Sequence, residues 1–338
     1  MNPLSEVIDA LGLTHPGTYL ALFLAASLLM MWRLEALQHH GLEGTALGTL
    51  IMPYCSGLGN VIFVLLIAGG KGDGAAIVTN SLVNNVTNLT LLLGLPALIW
   101  GLQLRLPGKT ARGAINRKKA AAAGTERQLT QLSLLLTLFA AIFFSGVTWA
   151  LGADGQLDAQ DGLVLIALFL FWQSFQVFDV LKHNVRQHRT FGPMFYFDLL
   201  IVLAGAFGLY TSIDWLVNWV GQQKASFVNA SNLGWLSGWL MVVPNALLAF
   251  FYAARHRADI TYASQIGDGH ICIPLCLGLG AVLQPLTLPP FFETAIAILI
   301  GVSLVHAISI GLAGGLPRWM GWPLVAAYAW FVGTGLLS

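Results

Sequence analysis

The stretch Asn80–Leu95, NSLVNNVTNLTLLLGL, puts four asparagines into nine positions of a segment otherwise apolar enough to cross a membrane. Moving one unpaired amide into an apolar medium costs roughly 2–7 kcal/mol. Asn80, Asn84, Asn85 and Asn88 therefore either bond to one another and to backbone, or line something that takes them.

The surrounding composition makes the membrane reading firm. The 338 residues are 57% hydrophobic and 9% charged, against about 25% charged in a typical soluble domain. A net charge of +1 offers no surface to a polyanion, so nucleic-acid binding is excluded. Cys55, Cys272 and Cys276 all fall in apolar segments, which argues against a disulfide framework. The opening residues, MNPLSEVIDALGLTHPG, lack a basic region followed by a cleavage site, so no removable signal peptide is expected.

Apolar runs of about 17–25 residues mark membrane spans. Ten are predicted, at roughly 17–36, 44–69, 75–100, 128–151, 161–181, 195–217, 233–254, 258–285, 289–313 and 320–337. With the N-terminus outside, the internal segments 33–43, 101–127, 182–192, 255–257 and 314–319 hold fourteen of the sixteen Lys and Arg residues. That is the positive-inside bias of short loops, and it places both termini on the external side of a plasma or bacterial inner membrane. The basic loop 101–127 is read as a topology anchor. Trp32, Trp100, Trp149, Trp215, Trp219, Trp319 and Trp322 fall near span ends, as an aromatic belt requires.

The asparagine-rich stretch has a partner. Residues 57–95, GLGNVIFVLLIAGGKGDGAAIVTNSLVNNVTNLTLLLGL, align with 242–279, VVPNALLAFFYAARHRADITYASQIGDGHICIPLCLGL, when one extra loop residue is allowed. Asn60 then falls on Asn245, Asn80 on Ser264, Asn84 on Asp268 and Asn88 on Cys272. Each half holds five spans, and an odd number forces the second copy to enter the membrane from the opposite face. Inverted repeats of this kind belong to secondary transporters, whose sites lie at the midplane on interrupted helices. Pro53, Gly57, Gly59 and Pro244 are the expected interrupters, since proline removes a backbone donor and glycine weakens helix continuity. The halves are 1–192 and 193–338, with repeats at about 44–100 and 233–285.

On these segments the chain resembles the cation/Ca²⁺ exchanger superfamily, to which sodium/calcium exchangers belong. GTLIMPYCSGLGN (48–60) is similar to that family's G-L-T-I-V-A-I-G-T-S-L-P-E block, and TNSLVNNVTNLTLLLG (79–94) to its G-N-V-I-G-S-N-I-F-N-I-L-L-V-L-G block. In the other half VVPN lines up with S-L-P-E, and ASQIGDGHICIPLCLG (263–278) follows at the family spacing. The resemblance implies an all-α polytopic protein with ten helices in two inverted five-helix repeats, exchanging cations by alternating access. It implies an ion site at Ser56, Asn60, Asn84, Asn85, Asn88, Asn245, Asp268 and Cys272. It also implies a bilayer and small inorganic cations as partners, and no bound cofactor.

The departures are as informative. The family's two glutamates are here Asn60 and Asn245, and Asp268 stands where the family has serine. One carboxylate remains where a Ca²⁺ exchanger has two or three. A unit charge 4 Å from a divalent ion is worth about 8 kcal/mol at an effective dielectric near 20. Losing even a third of that twice abolishes a micromolar site. The expected cargo is therefore Na⁺ or H⁺ before Ca²⁺, which would need unusually many backbone carbonyls and waters.

On a helix, positions i, i+4 and i+8 share a stripe, so Asn80, Asn84 and Asn88 face one way, as do Ser264, Asp268 and Cys272. The plainer account is interhelical glue, at about 0.6–2 kcal/mol per polar contact. Repeat matching favours the site account for Asn60, Asn84, Asn88, Asn245 and Asp268. A mid-span carboxylate costs at least ~2.5–3.5 kcal/mol, which makes Asp268 the sharpest candidate. His270 and His306 are read as packing residues. Cys272 and Cys276 are read as apolar fillers before soft-metal ligands, and Asp198 and Glu293 as residues reaching the interface. No HExxH, GxSxG or P-loop pattern occurs at a credible place, so no enzyme is expected. The competing function is a non-transporting membrane subunit or sensor that keeps the exchanger fold.

Overall fold

The computed structural model describes residues 3–39, 52–104, 117–184, 193–224 and 227–337. Among them, helical bodies occupy all ten predicted spans. A short α1 (Pro3–Ala10) precedes α2 (Pro16–His39), and α3 (Met52–Leu66) ends in a π turn, Ile67–Lys71. The third span is α4 (Gly74–Leu89) followed by α5 (Leu91–Trp100). Then come α6 (Arg117–Leu151), α7 (Ala159–Asn184), α8 (Pro193–Gln222) and α9 (Leu233–Ala254). The eighth span is α10 (Ala258–His270), a π segment Ile271–Leu277 and α11 (Gly278–Leu283); α12 (Phe292–Ala313) and α13 (Gly321–Leu337) complete the chain. Seven of these spans are long and apolar enough by themselves to cross a membrane, counted over the described residues, while Gly57–Lys71 is apolar but shorter.

The helices fall into two compact units. The first comprises Met1–Asn84, Ala150–Pro244 and Ile271–Pro289; the second comprises Asn85–Trp149, Asn245–His270 and Pro290–Ser338. Each draws on both sequence halves, so this spatial division differs from the repeat boundary at 192/193.

Short strands show the two-fold character of the chain. In the second unit β1 (Leu102–Gln103), after the third span, pairs antiparallel with β4 (Gly315–Leu316), after the ninth. In the first unit β2 (Gln156–Leu157), after the fourth span, pairs with β3 (Leu286–Thr287), after the eighth. Loops that hydrogen-bond must share a membrane face, and both pairs obey the alternation the charges predict. Two ion pairs of the first unit obey it too: Arg33–Asp198 at 3.1 Å and Lys71–Asp214.

The glycines matched by the repeat behave alike. An added Cβ on Gly94 would lie 3.2 Å from the carbonyl oxygen of Gly321, which opens the tenth span. One on Gly278 would lie 3.0 Å from the carbonyl oxygen of Gly162, near the start of the fifth. Without a hydrophobic force between helices in lipid, such close backbone approach supplies the packing contact. Phe171, Leu200 and Leu203 are exposed on the first unit and Phe139 and Phe143 on the second, as lipid-facing side chains are.

The expected interrupters need correction. Gly57 and Gly59 lie inside continuous α3 and Pro244 inside continuous α9, while Pro53 stands in the first described turn of α3. The irregularities come instead at Gly70 (φ +97°), at Thr90 between α4 and α5, and around Pro274 in the π segment. In the register that sets Asn88 on Cys272, Thr90 falls on Pro274, so the two repeats break at matched places. Gly57 and Gly59 serve proximity: an added Cβ would meet Ile271 at 2.8 Å or Met241 Sδ at 2.6 Å. Membrane helices tolerate an internal proline because neighbouring groups re-satisfy the freed backbone.

Candidate cation site

Two buried amide clusters form, one in each unit, and α4 contributes to both. In the first unit Asn60 on α3 and Asn80 and Asn84 on α4 are all inaccessible to solvent. Gly234 and Gly238 on α9 let that helix approach α4 at backbone distance. A Cβ on Gly234 would lie 2.5 Å from Thr79 Cβ, and one on Gly238 2.7 Å from Val83 Cβ. The approach brings Ser237 to Asn80, whose Nδ2 donates to Oγ at 3.0 Å. Asn84 Nδ2 reaches Asn60 Oδ1 at 3.5 Å, the outer limit of a hydrogen bond.

The second unit holds the carboxylate. Asp268, on α10, is fully buried, and its Oδ2 accepts from two amides: Asn88 Nδ2 of α4 at 2.8 Å and Asn245 Nδ2 of α9 at 3.0 Å. Asn85 Nδ2 donates to the Gly269 carbonyl at 3.4 Å. One residue past Asn84, Asn85 leaves the stripe because consecutive helical positions diverge by about 100°. Gln265, one turn before Asp268 on the same face, donates from Nε2 to the Asn245 carbonyl at 3.3 Å and to Ser264 Oγ at 3.0 Å. Sequence reading passed over Gln265. The signal was available, an uncharged polar residue in mid-span at i−3 from the sole carboxylate, but the repeat alignment pairs it with Ser81 and drew no notice to it.

These bonds fix which way each amide faces. The Asn85 and Gln265 nitrogens point at carbonyl oxygens and the Asn245 nitrogen at a carboxylate, so the opposite ends are oxygens. Asn85 Oδ1, Asn245 Oδ1 and Gln265 Oε1 are buried and have no hydrogen-bond partner among the described residues. An unmet buried acceptor costs about 1–3 kcal/mol. In the first unit Asn80 Oδ1 is a further acceptor of that kind, whereas Asn60 presents an unmet donor, Nδ2.

Magnitudes set what the carboxylate requires. Removing one ion from water costs several kcal/mol even after relaxation. Hydrogen bonds to a charged group return about 1.5–3 kcal/mol each. Two amide donors offset part of the burial of Asp268.

The other candidates find ordinary roles. His270 Nε2 bonds the Thr137 carbonyl at 3.0 Å, and His306 Nε2 bonds the Leu89 carbonyl at 2.8 Å, as packing histidines do. Cys272 and Cys276 are buried in the π segment, outside any disulfide. Asp198, one turn inside α8, is 1% exposed and held by Arg33 of α2. Ser56 belongs to α3, but its side chain, like that of Cys55, lies outside the described residues.

Comparison with known proteins follows the same line. The family described as "Sodium/calcium exchanger protein" matches residues 17–178, somewhat under half of the chain. No curated protein matches significantly. Among solved structures, the sodium-calcium exchanger NCX_Mj soaked with 2.5 mM Na⁺ and 1 mM Sr²⁺ superposes with TM-score 0.64 at 17% identity, covering 94% of this chain and 96% of that one. The same exchanger soaked with zero Na⁺ and Ca²⁺ gives TM-score 0.63 at 18% identity, with the same coverage. At such identity the likeness is one of fold, over nearly the whole length of both chains.

Proposed function

We propose that this chain, a distant member of the cation/Ca²⁺ exchanger superfamily, is a secondary active cation antiporter of altered selectivity. Its inverted halves, 1–192 and 193–338, would alternate access to a midplane site. Asp268 is the charged ligand, with Asn88 and Asn245 orienting it and Asn85 donating to its neighbour Gly269; Ser56, Asn60, Asn84 and Cys272 enter the ligand set through the family resemblance alone. The observation that carries the reading is the fully buried Asp268 carboxylate, whose Oδ2 accepts from two amides. One negative charge suits Na⁺ or H⁺, whereas Ca²⁺ takes 6–8 oxygens and usually several carboxylates. The positive-inside distribution supports a plasma or bacterial inner membrane with both termini outside.

The competing reading, a non-transporting subunit or sensor, draws on Asn60. That residue presents a buried, unmet N–H donor, which cannot ligate a cation, at a position matched by the family's glutamate. Flux decides between them. Reconstituted into proteoliposomes and offered Na⁺, K⁺, Ca²⁺ and pH gradients in turn, the chain should exchange a monovalent cation faster than Ca²⁺. Absence of flux for every cation would establish the non-transporting reading.

A further inference from the structure

We infer that Gln265 is an additional oxygen ligand of the transported ion, and that the site it joins holds a largely dehydrated metal cation of single charge rather than a proton alone. The inference rests on the antiporter reading and deepens it.

Gln265 is fully buried in the middle of α10. If it were only glue between helices, both ends of its amide would be engaged. Only the nitrogen end is: Nε2 spans the Asn245 carbonyl and Ser264 Oγ, and the Ser264 hydroxyl is itself spent on the Thr261 carbonyl at 3.1 Å. The side chain is thus anchored by its donor with Oε1 left over. The same asymmetry holds for Asn245 and Asn85, anchored through Nδ2 on Asp268 and on the Gly269 carbonyl. All three uncommitted atoms are acceptors, and all belong to residues bonded to Asp268, to its neighbour Gly269 or to Asn245.

The chemistry of the leftover atoms discriminates among cations. A proton on Asp268 makes one O–H donor, which engages one acceptor and leaves the others unmet. A metal cation has no such limit, since several oxygens bind it at once and each replaces a water of hydration. Neutral amide oxygens with one carboxylate leave a divalent charge half compensated and a single charge balanced. Sequence spacing adds a positional reason. Gln265 and Asp268 stand at i and i+3, on one face of α10, so a ligand reached by one is within range of the other.

The test uses the purified full-length chain in proteoliposomes and in nanodiscs. Flux is measured with Li⁺, Na⁺ and K⁺ chlorides against choline, and binding of the same ions by calorimetry. The wild-type chain should bind one alkali cation in preference to the others. Gln265→Leu should raise the half-saturating concentration of that ion at least tenfold while maximal flux changes far less. Gln265→Glu, which keeps size and shape, should gain at least tenfold in Ca²⁺ competition. That variant keeps the test open should Gln265→Leu fail to fold. Wild-type flux driven by pH gradients and indifferent to every alkali cation overturns the inference and leaves the antiporter reading standing. So do folded variants with unaltered half-saturation and ion order. Absence of any cation flux in the wild type overturns both.

Discussion

Asn245 and Asp268, on successive helices, are joined Nδ2 to Oδ2 at 3.0 Å, fully out of reach of solvent. The asparagine of α9 supplies a donor to the carboxylate of α10. In the proposed site the charge is therefore carried by Asp268 on α10, and the polarity is spread over amides.

Replacing Asp268 by asparagine removes that charge while keeping the side chain's shape. At 4 Å a unit pair is worth about 4 kcal/mol at an effective dielectric near 20. Asp268→Asn should therefore weaken monovalent cation binding at least a hundredfold and reduce transport to background. Size-exclusion profile and melting temperature should stay near wild type, since the buried charge itself is costly. Transport at the normal rate would remove Asp268 from the ion site.

Asn245→Asp puts a second carboxylate against the first. Without a divalent ion the two repel, so melting temperature in detergent should fall. With a divalent ion they attract it together, each charge adding about 8 kcal/mol of gross attraction at 4 Å and dielectric 20. The variant should therefore be stabilised by millimolar Ca²⁺ where the wild type is not. Thermal melts with and without Ca²⁺ check both halves of the expectation.

Gly238 sits where α9 and α4 approach closely, its added Cβ meeting Val83 Cβ at 2.7 Å and the Asn80 carbonyl at 3.1 Å. Gly238→Ala should destabilise the chain by about 1–3 kcal/mol, the usual cost of overpacking. It should also push Ser237 away from Asn80. Gly146→Ala is the control, because nothing lies within 4 Å of its added Cβ.

The Lys71–Asp214 pair fastens the end of α3 to α8, with side chains 32% and 25% exposed. Partly solvated ion pairs contribute about 0.2–1 kcal/mol. Lys71→Ala should thus lower melting temperature only slightly, with the difference shrinking as salt rises. A large fall, insensitive to salt, would mean that the pair organises more than its own contact.

The outline of the fold could be read in the sequence because hydropathy and charge act residue by residue. A run of twenty apolar residues resists water wherever its neighbours lie, and fourteen of sixteen cations fall between alternate apolar runs of the sequence whatever the helices do. The ten spans, their alternation and the matched repeats follow from those local costs. So does the singling out of Asp268, since a mid-span carboxylate is expensive in any surroundings.

What tertiary structure alone decided is who meets whom. Pro244 had the chemistry to break a helix and does not, while Thr90 and Pro274 mark the breaks. Gly57 and Gly59 looked like hinges and are contact surfaces, because their missing Cβ atoms admit Ile271 and Met241. Asp198 looked destined for the interface and is held by Arg33. Gln265 carried no repeat signature, yet its nitrogen is pinned while its oxygen is buried with no hydrogen-bond partner among the described residues. Sequence fixes what each side chain costs to bury, but the partner that offsets this cost comes from another helix, and only folding brings that helix within three ångströms.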